Sequence, residues 1–428
     1  MARFSVKTFL SHAKRQLQQA SQTNAKTTFV VGNESADLDS IASAIVYGYI
    51  TSSSTQALRS NTLTIPLTNI PAADLSLRPE LTTLLRHANL TPSDLITLSD
   101  LPPNLSPATT TLTLVDHNAL TGPLATLFPT PTSLTACIDH HADENTVLPT
   151  SKPRLITPSG SCASLVATHL HDAWVQLALF SSSTGAANGQ QSYDVIDDTA
   201  YTSTWDAQAA LLALGAVLID TQNLTSAHKV TAHDRRAAKL LEAFVNLSPK
   251  LSVGFDRDAF YGELEAAKSD IGPLALGDVL RKDYKAWSDG GSGLELGVAS
   301  VVRGLGFLEE KAAGEAEGSD AEGRKALLRA CAAFAKERKL GLFAVMTAFS
   351  NGKGEFEREL LLMAAEEGKP VEAAEKFVKQ AGGQLKLVDL EGYEAKEDGV
   401  AWVKAWRQDS LEASRKQVAP LFREAMKA

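Results

Sequence analysis

Carboxylates and histidines follow short apolar runs at four places in the N-terminal half of the chain. They are Asp37 and Asp39 after TTFVV, Asp116 after TLTLV, the triplet Asp139-His140-His141 after LTACI, and Asp220 after AVLI. Each apolar run is typical of a buried strand, and we expect the last one to follow a helix. Because functional residues of parallel sheets collect at the carboxyl ends of the strands, these side chains are expected to converge.

Carboxylates and imidazoles are ligands of divalent cations, and two cations that share a ligand can activate a water and clamp a transferred phosphoryl group. Adjacent histidines beside a carboxylate at a strand end are hard to explain by packing, since strands prefer apolar cores. For the pair Asp37 and Asp39 alone, the alternative is a helix N-cap, in which Asp39 or Ser40 satisfies the first amides of a helix over 41–50. The four strand ends together favour a two-metal phosphoryl-transfer centre.

Helical patterns alternate with these strands, at 41–50 and 160–179 for example. This alternation predicts an α/β fold whose N-terminal domain has a mostly parallel sheet with flanking helices. All nine histidines lie within the first 233 residues, and a helix over 227–247 closes this part of the chain. We therefore predict a metal-binding domain over residues 1–248 and a smaller C-terminal α/β domain over 256–428. In the second domain, strands are expected within 290–305 and 340–350, and helices at 354–368 and 371–383.

The chain has 428 residues, 44% of them hydrophobic, and a formal net charge of −9. This composition predicts a folded protein and gives no support to a general nucleic-acid or membrane surface. Three cysteines without a C-x-x-C pair indicate a reducing compartment, so we expect a cytoplasmic protein. The basic N-terminal segment faintly resembles a mitochondrial presequence, which leaves a minor mitochondrial fraction open, but its apolar spacing favours a first helix of the fold.

The motifs GNESADLDS, LVDHN, CIDHH with GSCAS, and LIDTQN resemble, in order and spacing, the four motifs of the DHH phosphoesterase superfamily, over about residues 28–223. The resemblance implies five metal ligands, among which Asp116 bridges: Asp37, Asp39, Asp116, His140 and Asp220. It also implies that His141 faces the phosphate and that Asp139 orients a histidine. Asn33, Asn118 and Ser161 are expected beside Asp139 around the ligands.

Two basic clusters follow in the C-terminal part, LRKDYKAW at 280–287 and SRKQVAP at 414–420. They resemble the second type of DHH-associated domain, found in family II inorganic pyrophosphatases, fungal exopolyphosphatases and prune proteins. The resemblance implies that these cations face the metal site across an interdomain cleft. The substrate-binding candidates are Arg281, Lys282, Lys285, Arg415, Lys416 and His141, and the catalytic candidates are Asp116, His141, Lys285 and Arg415. A solvated helix face is the alternative for either cluster.

Family II pyrophosphatases have a histidine ligand where this chain has Asn33. Asparagine would favour hard Mg²⁺, with Mn²⁺ or Co²⁺ as alternatives. GNESADLDSIASA instead resembles the exopolyphosphatase and prune pattern, which implies an exopolyphosphatase that removes terminal orthophosphate from inorganic polyphosphate. The alternatives are a pyrophosphatase, a prune-like hydrolase of short polyphosphates or nucleotides, and a non-catalytic scaffold that docks through segments 181–198 and 317–325. Protein partners are not predicted.

Overall fold

The computed structural model describes residues 4–23, 25–54, 63–103, 105–129, 134–184, 194–316, 322–393 and 400–427. The predicted docking segments 181–198 and 317–325 lie partly outside these residues. The chain divides into two compact units, Met1–Lys268 and Ser269–Ala428.

The first unit contains a five-stranded sheet in which every pair is parallel, in the order β2-β1-β3-β4-β5. Its strands are β1 (Thr27–Val31), β2 (Thr64–Leu67), β3 (Thr110–Val115), β4 (Leu134–Asp139) and β5 (Arg154–Ile156). Val31 pairs with Leu114, and Leu114 pairs with Cys137. The carboxyl ends of β1, β3 and β4 therefore lie side by side, as the sequence predicts.

The helices of the first unit pack on its sheet or on one another. They are α1 (Val6–Thr23), α2 (Leu38–Ser52), α3 (Pro79–His87), α4 (Gly122–Leu127), α5 (Cys162–His169), α6 (His171–Thr184), α7 (Asp194–Thr221), α8 (Ala232–Asn246) and α9 (Arg257–Ser269). One apolar cluster joins the sheet to α2, α5 and α7, and a second contains Ala13 and Leu17 of α1 with Phe29 and Val31 of β1. The sheet is thus buried on both faces, which is why its strands are continuous apolar runs.

Asp220 does not end a fourth strand, contrary to the sequence-based prediction. It lies near the end of the long helix α7, which packs against α2 and α8 and is buried at nearly every position from Ala207 to Ile219. A helix buried on all sides has no polar face, so a short apolar run does not distinguish it from a buried strand. The part of α7 over Thr202–Thr221 is long and apolar enough to cross a membrane by composition, but its most apolar window is 78% buried inside the protein.

The second unit contains a six-stranded mixed sheet in the order β12-β13-β11-β8-β7-β6, and a separate pair, β9 with β10. Its strands are β6 (Tyr284–Asp289), β7 (Leu294–Val301), β8 (Leu342–Thr347), β9 (Phe349–Ser350), β10 (Phe356–Glu357), β11 (Glu359–Ala364), β12 (Leu387–Asp389) and β13 (Trp402–Gln408). Its helices are α10 (Leu276–Lys282), α11 (Leu305–Glu315), α12 (Gly323–Glu337), α13 (Lys369–Leu385) and α14 (Arg415–Met426).

The helix predicted at 354–368 is wrong, because this segment contains β10 and the central strand β11. Leu361 and Met363 belong to one apolar cluster of the second unit, whereas Leu360 and Leu362 belong to the other. Successive side chains of β11 thus point into two cores on opposite faces of the sheet. Burial on both faces removes the polar alternation that marks a strand in sequence.

The compact units divide the chain later than the predicted domains 1–248 and 256–428. Phe260 and Leu264 of α9 are buried in the core of the first unit, so this helix packs with the residues that precede it. The residues predicted as a connection, 248–255, lie within the first unit.

Candidate metal centre

Asp116 immediately follows β3 and has a φ of +63°, in the left-handed region. This conformation is costly for a residue with a β-carbon and persists only where the surroundings enforce it. The main-chain N–H of Asp116 donates to Ile138 O at 3.1 Å and to Cys162 Sγ at 3.2 Å. The backbone is therefore held where β3, β4 and α5 meet.

Two groups of side chains could each hold a metal ion, and they share His140. Asp116, His140 and His141 form one group, and Asp39, His140 and Asp220 form the other, with the ligand atoms of each group within 4.8 Å of one another. His140 Nε2 lies 3.0 Å from Asp116 Oδ1 and 3.8 Å from Asp39 Oδ2. The structure thus brings Asp39, Asp116 and His140 together near the ends of β1, β3 and β4, whereas Asp220 reaches the centre from a helix and not from the predicted fourth strand.

Asp37 belongs to neither group within the described part of the chain. It is the N-cap of α2, and its Oδ1 accepts a hydrogen bond from Ser40 N at 2.9 Å. The helix cap, for which Asp39 or Ser40 was the alternative interpretation, is therefore made by Asp37, and Asp39 points into the centre from the first turn of the helix. The role of Asp37 as a metal ligand stays a prediction.

The imidazole of His140 is oriented for metal binding. Its Nδ1 lies 3.0 Å from Ser159 O, and a carbonyl only accepts, so Nδ1 carries the proton. In the neutral ring, the lone pair of Nε2 then faces the carboxylates of Asp39 and Asp116. A lone pair and two anions repel one another unless a cation lies between them, and a carbonyl behind the distal nitrogen is a common support for a histidine that binds metal. The donor set therefore fits a divalent cation.

Asp39 is buried and held by the N-terminus of α5. Its carboxylate accepts hydrogen bonds from Ser161 Oγ at 2.8 Å, Cys162 N at 2.6 Å and Ala163 N at 2.8 Å. Burial raises the pKa of Asp39 well above its usual range, and the charges of Asp116 and Asp220 raise it further. Crowding of anions in a buried site is what a divalent cation would relieve.

Asn33 and Ser40 contact the other oxygen of Asp116. Asn33 Nδ2 donates to Asp116 Oδ2 at 2.8 Å, and Ser40 Oγ donates to the same atom at 2.7 Å. The amide oxygen of Asn33 accepts from Ser35 N at 2.8 Å, and a backbone N–H can only donate, so the orientation of the amide is fixed. The amide nitrogen of Asn33 thus donates to Asp116, and its amide oxygen accepts from Ser35.

Asp139 orients His141. Its Oδ1 accepts from His141 Nδ1 at 2.8 Å and from the main-chain N–H of His140 at 2.7 Å, and Asn118 Nδ2 donates to Oδ2 at 2.6 Å. Burial by itself raises the pKa of Asp139, but the hydrogen bonds from His141 and Asn118 outweigh burial and hold the pKa below its usual range. Asp139 therefore remains a carboxylate and keeps the proton of His141 on Nδ1.

Sequence reasoning missed Ser159 and Asp234, and it considered Ser40 only as a helix cap. Ser159 supports His140 through its carbonyl, and Asp234 is a fully buried carboxylate that binds the segment containing Ser159. The only sequence signal for Asp234 is the spacing Thr231-x-x-Asp234, and this capping-box pattern predicts a helix start and no contact with a metal site.

Within the second unit, the structure brings the two predicted basic clusters together. Arg415, the first residue of α14, donates to Asp283 O at 2.8 Å and to Asp283 Oδ1 at 2.6 Å, although 132 residues separate them. Asp283 lies between Lys282, which is 9% exposed, and β6, which begins at Tyr284 and contains Lys285. Arg281 pairs with Asp278 at 2.8 Å, and Lys416 follows Arg415 in α14.

Comparison with known proteins agrees with this architecture. The family model for the DHH family, N-terminal domain, matches residues 27–194, and the model for the DHHA2 domain matches residues 262–425. A Schizosaccharomyces pombe protein named "Putative exopolyphosphatase" is 32% identical to the chain, over 98% of this chain and 97% of the relative. The fold and the site define a phosphoesterase-type α/β metalloprotein. The chain belongs to the DHH family and carries a DHHA2 domain.

Relatives of lower identity also match most of the chain. The proteins named "Exopolyphosphatase PRUNE1" from Rattus norvegicus and Homo sapiens are 26% and 24% identical, each over 93% of this chain and 75% of the relative. A Methanococcus jannaschii structure described as a "putative family II inorganic pyrophosphatase" superposes with a TM-score of 0.56 at 20% identity, over 93% of this chain and 99% of that chain. The latter likeness concerns the fold alone.

Proposed function

We propose that this protein is a metal-dependent exopolyphosphatase that removes terminal orthophosphate from linear inorganic polyphosphate. The observation that carries the proposal is the orientation of His140, whose Nε2 faces Asp39 and Asp116 and is common to both candidate metal groups. The choice of polyphosphate is supported by the Schizosaccharomyces pombe relative, which this chain matches along nearly its entire length.

The residues of the first unit have distinct roles in this proposal. Asp39, Asp116, His140 and Asp220 would hold two divalent cations, for which we propose Mg²⁺, and Asp37 is a further candidate ligand. Two cations bound there would supply a water of lowered pKa and would neutralise charge on the phosphoryl oxygens. His141, oriented by Asp139, would face the phosphate that is removed.

The basic residues of the second unit bind the rest of the substrate. Polyphosphate carries a negative charge on each phosphate. We assign the neutralisation of this charge to Lys282, Lys285, Arg415 and Lys416, and we assign to Arg281 the phosphates further along the polyphosphate. Asp283 fixes the guanidinium of Arg415, so this cation is preorganised. A cytoplasmic location, without dependence on nucleic acid or a membrane, remains part of the proposal.

The test is phosphate release in Mg²⁺ from pyrophosphate, tripolyphosphate and long-chain polyphosphate, with product lengths followed over time. Asp116→Ala serves as the inactive variant. Loss of terminal phosphate from long chains, absent in the variant, is the expected result. Turnover of pyrophosphate alone would assign the protein to the pyrophosphatases instead. Hydrolysis of nucleotides or short chains only would favour a prune-like activity, and no hydrolysis at all would favour a scaffold.

A further inference from the structure

Asp234 lies in the first turn of α8 and is 0% exposed, yet its carboxylate accepts six hydrogen bonds. Two of them come from Thr231, the N-cap of its own helix, through N at 2.7 Å and Oγ1 at 2.8 Å. The other four come from the segment 159–164, whose donors lie 70 to 75 residues earlier in the chain. Their donors are Ser159 Oγ at 2.9 Å, Gly160 N at 2.9 Å, Ser161 N at 3.2 Å and Ser164 Oγ at 2.7 Å. A helix cap requires only the two hydrogen bonds from Thr231.

The segment 159–164 contacts both candidate metal groups. The carbonyl of Ser159 accepts from His140 Nδ1, and Ser161 Oγ donates to Asp39. The main-chain amides of Cys162 and Ala163 donate to Asp39 as well. The positions of one ligand nitrogen and one ligand carboxylate therefore depend on this segment, whereas no hydrogen bond described for Asp234 goes to a candidate ligand itself.

Gly160 shows how closely the segment is seated on Asp234. A β-carbon at Gly160 would lie 2.6 Å from Thr221 Cγ2 and 2.9 Å from Asp234 Oδ2. Real β-carbons do not approach other atoms this closely, so only glycine allows the main-chain N–H to reach the carboxylate. Burial by itself raises the pKa of Asp234, but hydrogen bonds from Ser164, Thr231 and Gly160 outweigh burial and hold the pKa below its usual range. The anchor is therefore a charged acceptor.

We propose that Asp234 is a positioning residue of the metal centre, whose carboxylate fixes segment 159–164 where Ser159 orients His140 and the start of α5 orients Asp39. The assignment rests on the proposed two-metal site. Partners that orient metal ligands from behind typically change metal affinity about 10- to 100-fold when they are removed. Asp234 contacts segment 159–164 and not the ligands themselves, but through this segment it supports both His140 and Asp39.

The test is Mn²⁺ titration calorimetry of the full-length chain, first freed of metal by chelation, for the wild type and Asp234→Asn. The asparagine amide has one acceptor oxygen, so its NH₂ group must face three of the six donors. In either orientation, segment 159–164 loses at least one hydrogen bond to this side chain. We expect Mn²⁺ to bind about 10-fold or more weakly. The rise in Tm that saturating Mn²⁺ produces should shrink accordingly.

Asp100→Asn is the matched control, because Asp100 occupies the same capping-box position. Its Oδ2 accepts from Thr97 N at 2.8 Å and Thr97 Oγ1 at 2.9 Å, and no hydrogen bond described for it goes to segment 159–164. Since both hydrogen bonds go to one oxygen, the amide oxygen of asparagine can accept both, and the variant should keep the wild-type Kd for Mn²⁺ with a Tm near that of the wild type. Equal Kd values for wild type and Asp234→Asn would overturn the proposal.

If Asp234→Asn fails to fold, Ser159→Ala and Ser164→Ala carry the test, since each removes one hydroxyl donor to Asp234 and keeps the main chain. Each should weaken Mn²⁺ binding several-fold, and wild-type affinity in both would overturn the positioning role. Failure of the proposed function is recognised separately. Wild-type protein that binds Mn²⁺ but releases no phosphate from polyphosphate would refute the function, while weaker Mn²⁺ binding by Asp234→Asn would still support this role.

Discussion

Substituting Asp116 by asparagine tests the metal centre with almost no change in side-chain volume. Asn33 Nδ2 and Ser40 Oγ both donate to Asp116 Oδ2, so the amide oxygen of the variant must occupy the Oδ2 position. Its NH₂ group then replaces Oδ1, 3.0 Å from His140 Nε2, which can accept a hydrogen bond. The variant therefore keeps the hydrogen bonds from Asn33 and Ser40, but it removes one charge and turns two hydrogens toward the metal position.

Two effects of opposite sign follow from this geometry. Asp116 Oδ1 and Asp39 Oδ2 lie 3.0 Å and 3.8 Å from the same nitrogen. They are thus at most about 7 Å apart, where two charges repel by about 2 kcal/mol at an effective dielectric constant of about 20. Removing this repulsion should raise the Tm of the metal-free protein by a few degrees, at about 2–4 °C per kcal/mol. With metal, loss of a ligand should reduce phosphate release about 10³-fold or more, which is about 4 kcal/mol.

The assay is differential scanning calorimetry at pH 8, in chelator and in saturating Mg²⁺ or Mn²⁺, together with phosphate release. We expect Asp116→Asn to have a higher Tm than wild type in chelator but a smaller further rise with metal, since the group of Asp39, His140 and Asp220 remains. Asp206→Asn is the control, since Asp206 is also buried and accepts from Trp174 Nε1 at 2.7 Å. That variant should keep the metal-induced rise. A wild-type rise in Asp116→Asn, or a lower Tm in chelator, would refute the reasoning.

Three further outcomes are expected. Asn33→His replaces the donor to Asp116 Oδ2 with an imidazole and should shift the metal preference from Mg²⁺ towards Mn²⁺ or Co²⁺. An unchanged ratio of the activities with Mg²⁺, Mn²⁺ and Co²⁺ would contradict this prediction. Lys285→Ala and Arg415→Ala should each lower phosphate release at least about 10-fold, while the Kd for Mn²⁺ stays at the wild-type value. Lys336 is exposed, and the control variant Lys336→Ala should change neither quantity. Weaker Mn²⁺ binding by Lys285→Ala or Arg415→Ala would contradict their role as phosphate ligands. Burial raises the pKa of Glu359, so its contribution to stability is complete below the unfolded pKa, near 4.5, and is lost as pH rises through the folded pKa. The Tm of Glu359→Gln minus that of wild type, measured without metal, should therefore increase as pH rises above about 4.5, and a flat or falling difference would refute this assignment.

The sequence alone predicted the convergence of β1, β3 and β4, because each of these strands is a short apolar run that ends at a polar residue. Parallel strands in an α/β fold must expose their carboxyl ends at one edge of the sheet. Asp39, Asp116 and His140 could therefore be assigned to one centre without coordinates. The family resemblance implied that Asp139 orients a histidine, and the structure identifies this histidine as His141.

Only the tertiary structure decided the features that depend on packing between distant segments. Asp220 reaches the centre from helix α7, and its apolar run resembled a strand because the helix is buried on every side. The orientation of the Asn33 amide is set by Ser35 on one side and by Asp116, 83 residues away, on the other. Asp234 is joined to Ser159 across 75 residues. Periodicity records which face of an element is buried, but it does not record which distant donor meets which acceptor, and that choice determines how the ligands are held.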